Sequence, residues 1–237
     1  MKIMLDAGHG FDTPGKRSPN GMKEYEFNRA VANYAKQMLE DYENVTVYFA
    51  HSDEDDVPLQ ERTDRANALN VDCYISIHCN AFGNGDWNEV DGIETYVYIT
   101  KPKEAYELAT VIHKQLLAVT GRDDRGVKTA NFHVLRETKM TAVLVECGFM
   151  TNRLEADLLK SDEYRKACAE GIVRGLADYY HLKKKPKLVP RILSTTSEKN
   201  RGLYRVQVGA FKYKENAEQL AQRLKEAGFD SYIYYED

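Results

Sequence analysis

Three apolar runs in this chain end on side chains that a packed strand does not need. Tyr74-Ile75-Ser76-Ile77 runs into His78-Cys79-Asn80, Lys2-Ile3-Met4-Leu5-Asp6-Ala7-Gly8 into His9-Gly10, and Ala142-Val143-Leu144-Val145 into Glu146-Cys147-Gly148. In open α/β sheets ligands bind beyond the carboxyl ends of the strands. Polar groups delivered there by separate segments therefore predict one shared pocket. Two imidazoles, a carboxylate and a water make a catalytic zinc shell, tetrahedral with one position open. His9, Glu24 and His78 fit that shell, and Glu146 fits the acid outside it that shuttles a proton to a leaving amine. Taken singly, each residue has a plainer use. A histidine can be a satisfied structural residue, and Glu24 opens a helical segment, where the dipole favours a carboxylate. Glu146 resists that reading, because a buried carboxylate must be paired or put to use. The chain has no HExxH pair, so spacing alone leaves zinc open.

The elements that must position these groups alternate. Strands are expected at 2–6, 45–50, 73–78, 93–100 and 142–146, and helices at about 24–42, 58–70, 103–120, 152–159 and 163–180. In 24–42, Phe27, Val31, Tyr34, Ala35, Met38 and Leu39 share one helical face. The stretch 121–131 reads as a polar loop and 132–135 as a short strand. This alternation predicts an α/β fold with a largely parallel sheet.

Composition narrows the function. A net charge of -4 argues against a nucleic-acid partner. No apolar run approaches the roughly 20 residues that span a bilayer, so membrane insertion is not expected. The first residues enter a strand directly, which predicts synthesis in the cytoplasm without a signal peptide. Cys73, Cys79, Cys147 and Cys168 lack CxxC spacing and read as small buried hydrophobes. After His181 the chain turns basic, then Ser/Thr-rich, with two prolines and no apolar period. The expected division is 1–181 catalytic domain, 182–202 linker and 203–237 a small strand-helix-strand unit.

From Lys2 to about Tyr180 the chain resembles the zinc-dependent N-acetylmuramoyl-L-alanine amidases of the amidase-3 type. The residues that carry this are Leu5-Asp6-Ala7-Gly8-His9-Gly10, Glu24 with Asn28, Leu59 with Arg62 and Ala66-Asn67, and Ser76-Ile77-His78-Cys79-Asn80-Ala81. They continue in Gly92-Ile93-Glu94-Thr95-Tyr96, Arg125-Gly126-Val127-Lys128, Val134-Leu135-Arg136 and Leu144 to Asn152. The resemblance implies a twisted, mostly parallel sheet flanked by helices, Zn2+ held by His9, Glu24 and His78, and a catalytic Glu146. It implies hydrolysis of the amide between N-acetylmuramic acid and L-alanine in peptidoglycan. Ala50-His51 stands where the family often has Thr-Arg, and Thr141 where Pro often follows Met140.

Other residues are less specific. Asn80 could contact substrate or stabilise a turn. Arg136 could bind a stem-peptide carboxylate with its planar fork or form a structural ion pair. Glu94 is a second acid/base candidate, and Trp87 could stack on a sugar or anchor its loop. His113, His133 and His181 read as non-ligands. The tail resembles the first half of a SPOR domain, in Tyr204 to Phe211, Asn216-Ala217 and Gly228-Phe229. Such domains bind peptidoglycan. The open strand edges of a half unit could pair with a second copy, giving a homodimer, or pack on the catalytic domain. The expected function is an endolysin or cell-wall lytic amidase acting on the wall after release. Its alternatives are a non-catalytic peptidoglycan-binding protein and a zinc peptidase acting within the stem peptide.

Overall fold

The computed structural model describes residues 1–13, 15–186 and 207–235. The chain divides into two compact units, Met1–Lys187 and Leu188–Asp237. The first holds strands β1 (Lys2–Ala7), β2 (Thr46–Phe49), β3 (Cys73–Asn80), β4 (Ile93–Tyr98), β5 (Asp124–Ala130) and β6 (Thr141–Phe149). Its helices are α1 (Glu24–Leu39), α2 (Leu59–Leu69), α3 (Lys103–Thr120), α4 (His133–Arg136), α5 (Arg153–Lys160) and α6 (Asp162–Tyr180).

The sheet order is β2-β1-β3-β6-β4-β5. Every pairing is parallel except β4 with β6. The single antiparallel pairing matters for the site. It brings the start of β4 beside the exits of β3 and β6, so Glu94 pairs with Glu146 and Glu146 with His78.

Side chains alternate faces along each strand, and the two faces differ. One carries Ile3, Leu5, Ala7, Ile75, Ile77, Val143 and Val145, packed against α1, α3 and α6. Phe27, Val31, Ala35 and Leu39 are the buried stripe of α1, as their spacing predicts. The other face has a smaller core of Met4, Tyr74, Ala142 and Leu144 under α2 and α4. His78, Glu146 and Glu94 belong to this second face, where little apolar mass covers them.

Two short elements differ from expectation. Residues 124–130, read as loop, form the edge strand β5. Asp-Arg-Gly-Val-Lys-Thr-Ala has one apolar residue of strand-forming size, and an edge strand needs only one buried neighbour. Where 132–135 reads as a strand, residues 133–136 form the single-turn helix α4, with Val134 and Leu135 buried. All four cysteines are free and buried, as expected.

In the second unit the expected helix is present as α7 (Lys214–Glu226). Of the expected first strand, residues 204–206 lie outside the described residues, and 207–208 carry no strand. Residues 232–235 also carry none, although Tyr232, Ile233, Tyr234 and Tyr235 have strand-forming character. Such a strand needs a partner for its backbone groups, and no described residue supplies one. Most of the expected linker 182–202 lies outside the described residues. Its first part is tied to the turn after α1, through the Tyr42–Lys184 bridge and the Lys185 N–H bond to Asp41 O. Among the described residues, no helix is long and apolar enough to cross a membrane.

Candidate active site

His9 follows β1 in the left-handed region, with φ 70°. A non-glycine residue there is uncommon and costs backbone strain, so something must hold it. Arg62 does. Its guanidinium donates to the carbonyls of Ala7 and His9, to Asp6 Oδ1 at 2.7 Å and, through Nε, to Val57 O. Gly8 is required by contact: a Cβ there would meet His78 Cε1 at 2.0 Å. The histidine that ends β1 and the one in β3 are therefore packed together through a missing side chain.

Glu24, the first residue of α1, is buried and lies between the two imidazoles. Its Oε2 is 3.3 Å from His9 Nε2 and its Oε1 2.8 Å from His78 Nδ1. Asn28, one turn on, donates to Gly8 O at 3.0 Å and ties the helix start to the β1 exit. Burial alone would raise the Glu24 carboxyl, but the hydrogen bonds and charge of His78 and His9 outweigh it and hold the group well below the usual range.

The hydrogen-bond network orients the His78 ring. Asp6 is buried, and although burial opposes ionisation, the Arg62 guanidinium holds it charged and acceptor-only. Ser76 must then donate to Asp6 Oδ2, at 2.8 Å. Its oxygen is left to accept from His78 Nε2, at 3.2 Å. Nδ1 is left facing the Glu24 carboxylate, at 2.8 Å. At that distance a proton or a cation must lie between the ring nitrogen and the carboxylate oxygen. Ligand atoms of His9, Glu24 and His78 all lie within 4.8 Å of one another. Tetrahedral zinc with bonds of about 2.0–2.2 Å separates its ligand atoms by roughly 3.4 Å. The donor set and spacing fit such an ion, and the Ser76–Asp6 chain is the kind of outer support that orients a ligating imidazole.

Glu146 stands beside this cluster on β6. Its Oε2 is buried and has no hydrogen-bond partner among the described residues. Burial, then the Glu24 charge, pushes its carboxyl well above the usual range. Next in the row, Glu94 has the opposite environment. It accepts from Asn80 Nδ2, Tyr96 OH, Arg125 Nε and Lys128 Nζ. Burial raises it, but Lys128 and Arg125 outweigh that and bring it down to about 2.

The remaining candidates are placed as follows. The Asn80 amide bonds within the protein, to Glu94 and to the Ala81 N–H. Arg136 lies at the end of α4, bonded to Glu137 and Asn131, and has no contact with the His–Glu cluster. Trp87 lies under Arg153, 4.6 Å from its guanidinium. His113 bonds Thr95 and Asp124, a structural role. His51 is buried, and its Nδ1 accepts the Ala7 N–H at 3.0 Å. Sequence reasoning assigned no role to Asp6, Arg62, Arg125 or Lys128. Asp6 gave a usable signal, as a carboxylate inside an apolar strand.

A sequence profile described as N-acetylmuramoyl-L-alanine amidase matches residues 3–178. The chain belongs to that family. A SPOR-domain profile matches residues 177–235, starting in the last turn of α6. Among curated relatives in the amidase family, CwlM of Bacillus licheniformis is 37% identical, over all of this chain and 86% of its own length. The sporulation-specific N-acetylmuramoyl-L-alanine amidase of Bacillus subtilis is 36% identical over the same shares. The crystal structure of an N-acetylmuramoyl-L-alanine amidase from Clostridium difficile 630 aligns with a TM-score of 0.73 and 31% identity, covering 76% of this chain and 96% of that one.

Proposed function

We propose that this protein is a zinc-dependent N-acetylmuramoyl-L-alanine amidase that cuts the sugar–peptide amide of bacterial peptidoglycan. The observation that carries the reading is the contrast at one strand-end pocket. A charged Glu24 sits between two imidazoles, beside an unpaired Glu146 whose burial makes its carboxylate more basic than usual. His9 Nε2, a Glu24 carboxylate oxygen and His78 Nδ1 would hold the metal. Bound there, zinc supplies Lewis acidity toward an amide carbonyl and lowers the pKa of a water.

The protein groups supply the rest. Glu146 takes a proton from the attacking water and returns it to the departing nitrogen, which an amide needs because an amine anion is a poor leaving group. Its burial and the Glu24 charge keep it basic enough to accept that proton. Ser76 and Asp6 fix the His78 ring, and Arg62 fixes the His9 backbone, so both imidazoles are positioned before substrate arrives. The SPOR-like segment gives a second hold on the wall polymer. Pairing of two such segments would make a dimer, and sedimentation of the full chain checks this against a monomer.

Mass analysis of digested peptidoglycan tests the activity. The reading predicts peptides that begin with a free L-alanine amine, and glycan without new reducing ends. Fragments cut inside the peptide would make the protein a peptidase. Wall binding without amine release, at full zinc loading, would make it a binding protein.

A further inference from the structure

The row of residues across the sheet does not stop at Glu146. It continues through Glu94 on β4 to Arg125 on β5. The β4–β5 register shifts between Ile93 and Thr95, so two residues of β5, Arg125 and Gly126, lie opposite Glu94. Bulges of this kind re-aim a side chain, and this one turns Arg125 onto Glu94.

Arg125 is held from three sides. Its Nε donates to Glu94 Oε1 at 2.8 Å. Its guanidinium lies 5.0 Å from the centre of the Phe149 ring. Its aliphatic stem rests on Gly92, where a Cβ would meet Arg125 Cγ at 3.0 Å. Yet only one of its three nitrogens is used: among the described residues, neither terminal nitrogen has a hydrogen-bond partner, and the side chain is 35% exposed. Lys128 shares the same Glu94 oxygen and is 38% exposed. Two cations on one carboxylate leave a surplus positive charge. A rigid, half-used guanidinium fork suits a carboxylate, which it can grip with two parallel bonds.

We propose that Arg125, backed by Lys128, receives a carboxylate on the peptide that leaves the amide. Two strand spacings, about 10 Å, separate the backbones of Arg125 and Glu146, and the Arg125 side chain leans toward Glu94, so its fork lies within that distance of Glu146. An extended peptide covers that in roughly three residues. The substrate is then an acidic peptide whose carboxylate lies within about three residues of the scissile bond. The inference rests on the amidase reading, and Arg125 is a specificity residue that touches no reacting atom.

The test uses the zinc-loaded full chain and two synthetic muramoyl tripeptides, identical except that one carries a free carboxylate and the other its carboxamide. The wild type should favour the acid by roughly 10-fold in kcat/KM, chiefly through KM, as one charged hydrogen-bonded contact allows. Arg125→Gln should raise KM for the acid to that of the amide, and should affect the amide substrate far less than the acid. Arg125→Lys should keep part of the preference. Calorimetry with the released peptide and its amide should show the same preference in binding, and the same loss in Arg125→Gln. Equal use of acid and amide by the wild type would overturn the subsite while leaving the amidase standing. So would an Arg125→Gln loss shared equally by both substrates. Release of amine from neither substrate by the wild type would remove the amidase reading and the subsite with it.

Discussion

Glu146 and Glu94 are neighbours on adjacent strands, and the protein treats them in opposite ways. Glu94 is surrounded by donors from β3, β4 and β5, and its charge is fixed. Glu146 receives no donor on its buried oxygen and faces the charge of Glu24. A fold that wanted two structural carboxylates would pair both. Leaving one bare has a stability cost, and on the proposed function that cost supplies a group whose proton can move. The paired carboxylate holds strands together, and the bare one is the proposed proton carrier.

The largest expected effect breaks that contrast at its reactive end. Glu146→Gln keeps the shape and removes the proton carrier, so amide hydrolysis should fall by roughly 10²–10⁴-fold. Denaturant unfolding should show no loss of stability, because no partner is orphaned. A variant that retains wild-type turnover would return Glu146 to a structural role.

A second paired carboxylate sharpens the comparison. Asp6 and Arg62 form a buried ion pair whose guanidinium also holds the His9 loop. Arg62→Met leaves Asp6 charged with no counter-charge and only Ser76 as a donor, which should cost about 3–5 kcal/mol in urea unfolding. Zinc affinity should fall with it, measured by competition with a chelator. Wild-type stability in this variant would show that the pair does not hold the loop.

His51 extends the comparison to a neutral group. Burial pushes its pKa from 6.5 down to about 4, with Asp6, Arg62, Asp53 and Arg29 adding charges of both signs. A depressed histidine contributes stability that is whole above pH 6.5 and is lost as pH falls toward 4. The shift corresponds to about 3 kcal/mol. His51→Gln can still accept the Ala7 N–H but does not titrate. It should lose about that much less stability than the wild type between pH 7 and pH 4. Parallel pH profiles for the two proteins would contradict the assignment.

The smallest effect is at Glu94. Glu94→Gln should cost about 2 kcal/mol, reduced because its two cations are about one-third exposed and water screens them. Turnover should fall far less than in Glu146→Gln. An equal fall in both would erase the distinction drawn here.

The sequence made most of the candidate site legible because chemistry stood where packing gave no reason for it. His9, His78 and Glu146 each end an apolar strand, and Glu24 opens a periodic helix, so type and position agreed. Edge strand β5 was hidden because its residues have no second face to bury, and Arg125 and Lys128 were hidden with it. α4 was hidden by length, since four residues cannot show a helical period. Roles that depend on who touches whom, as for Asp6, Arg62 and Asn80, have no local signature. The family resemblance marked those positions without saying what they hold.

The central claim is best tested by anomalous diffraction at the zinc edge from crystals of the full chain grown with zinc. The account predicts one strong peak bonded to His9, Glu24 and His78, the His78 contact through Nδ1, with Glu146 beside the ion and not bound to it. A peak elsewhere, or one that takes Glu146 as a ligand in place of Glu24, would contradict it.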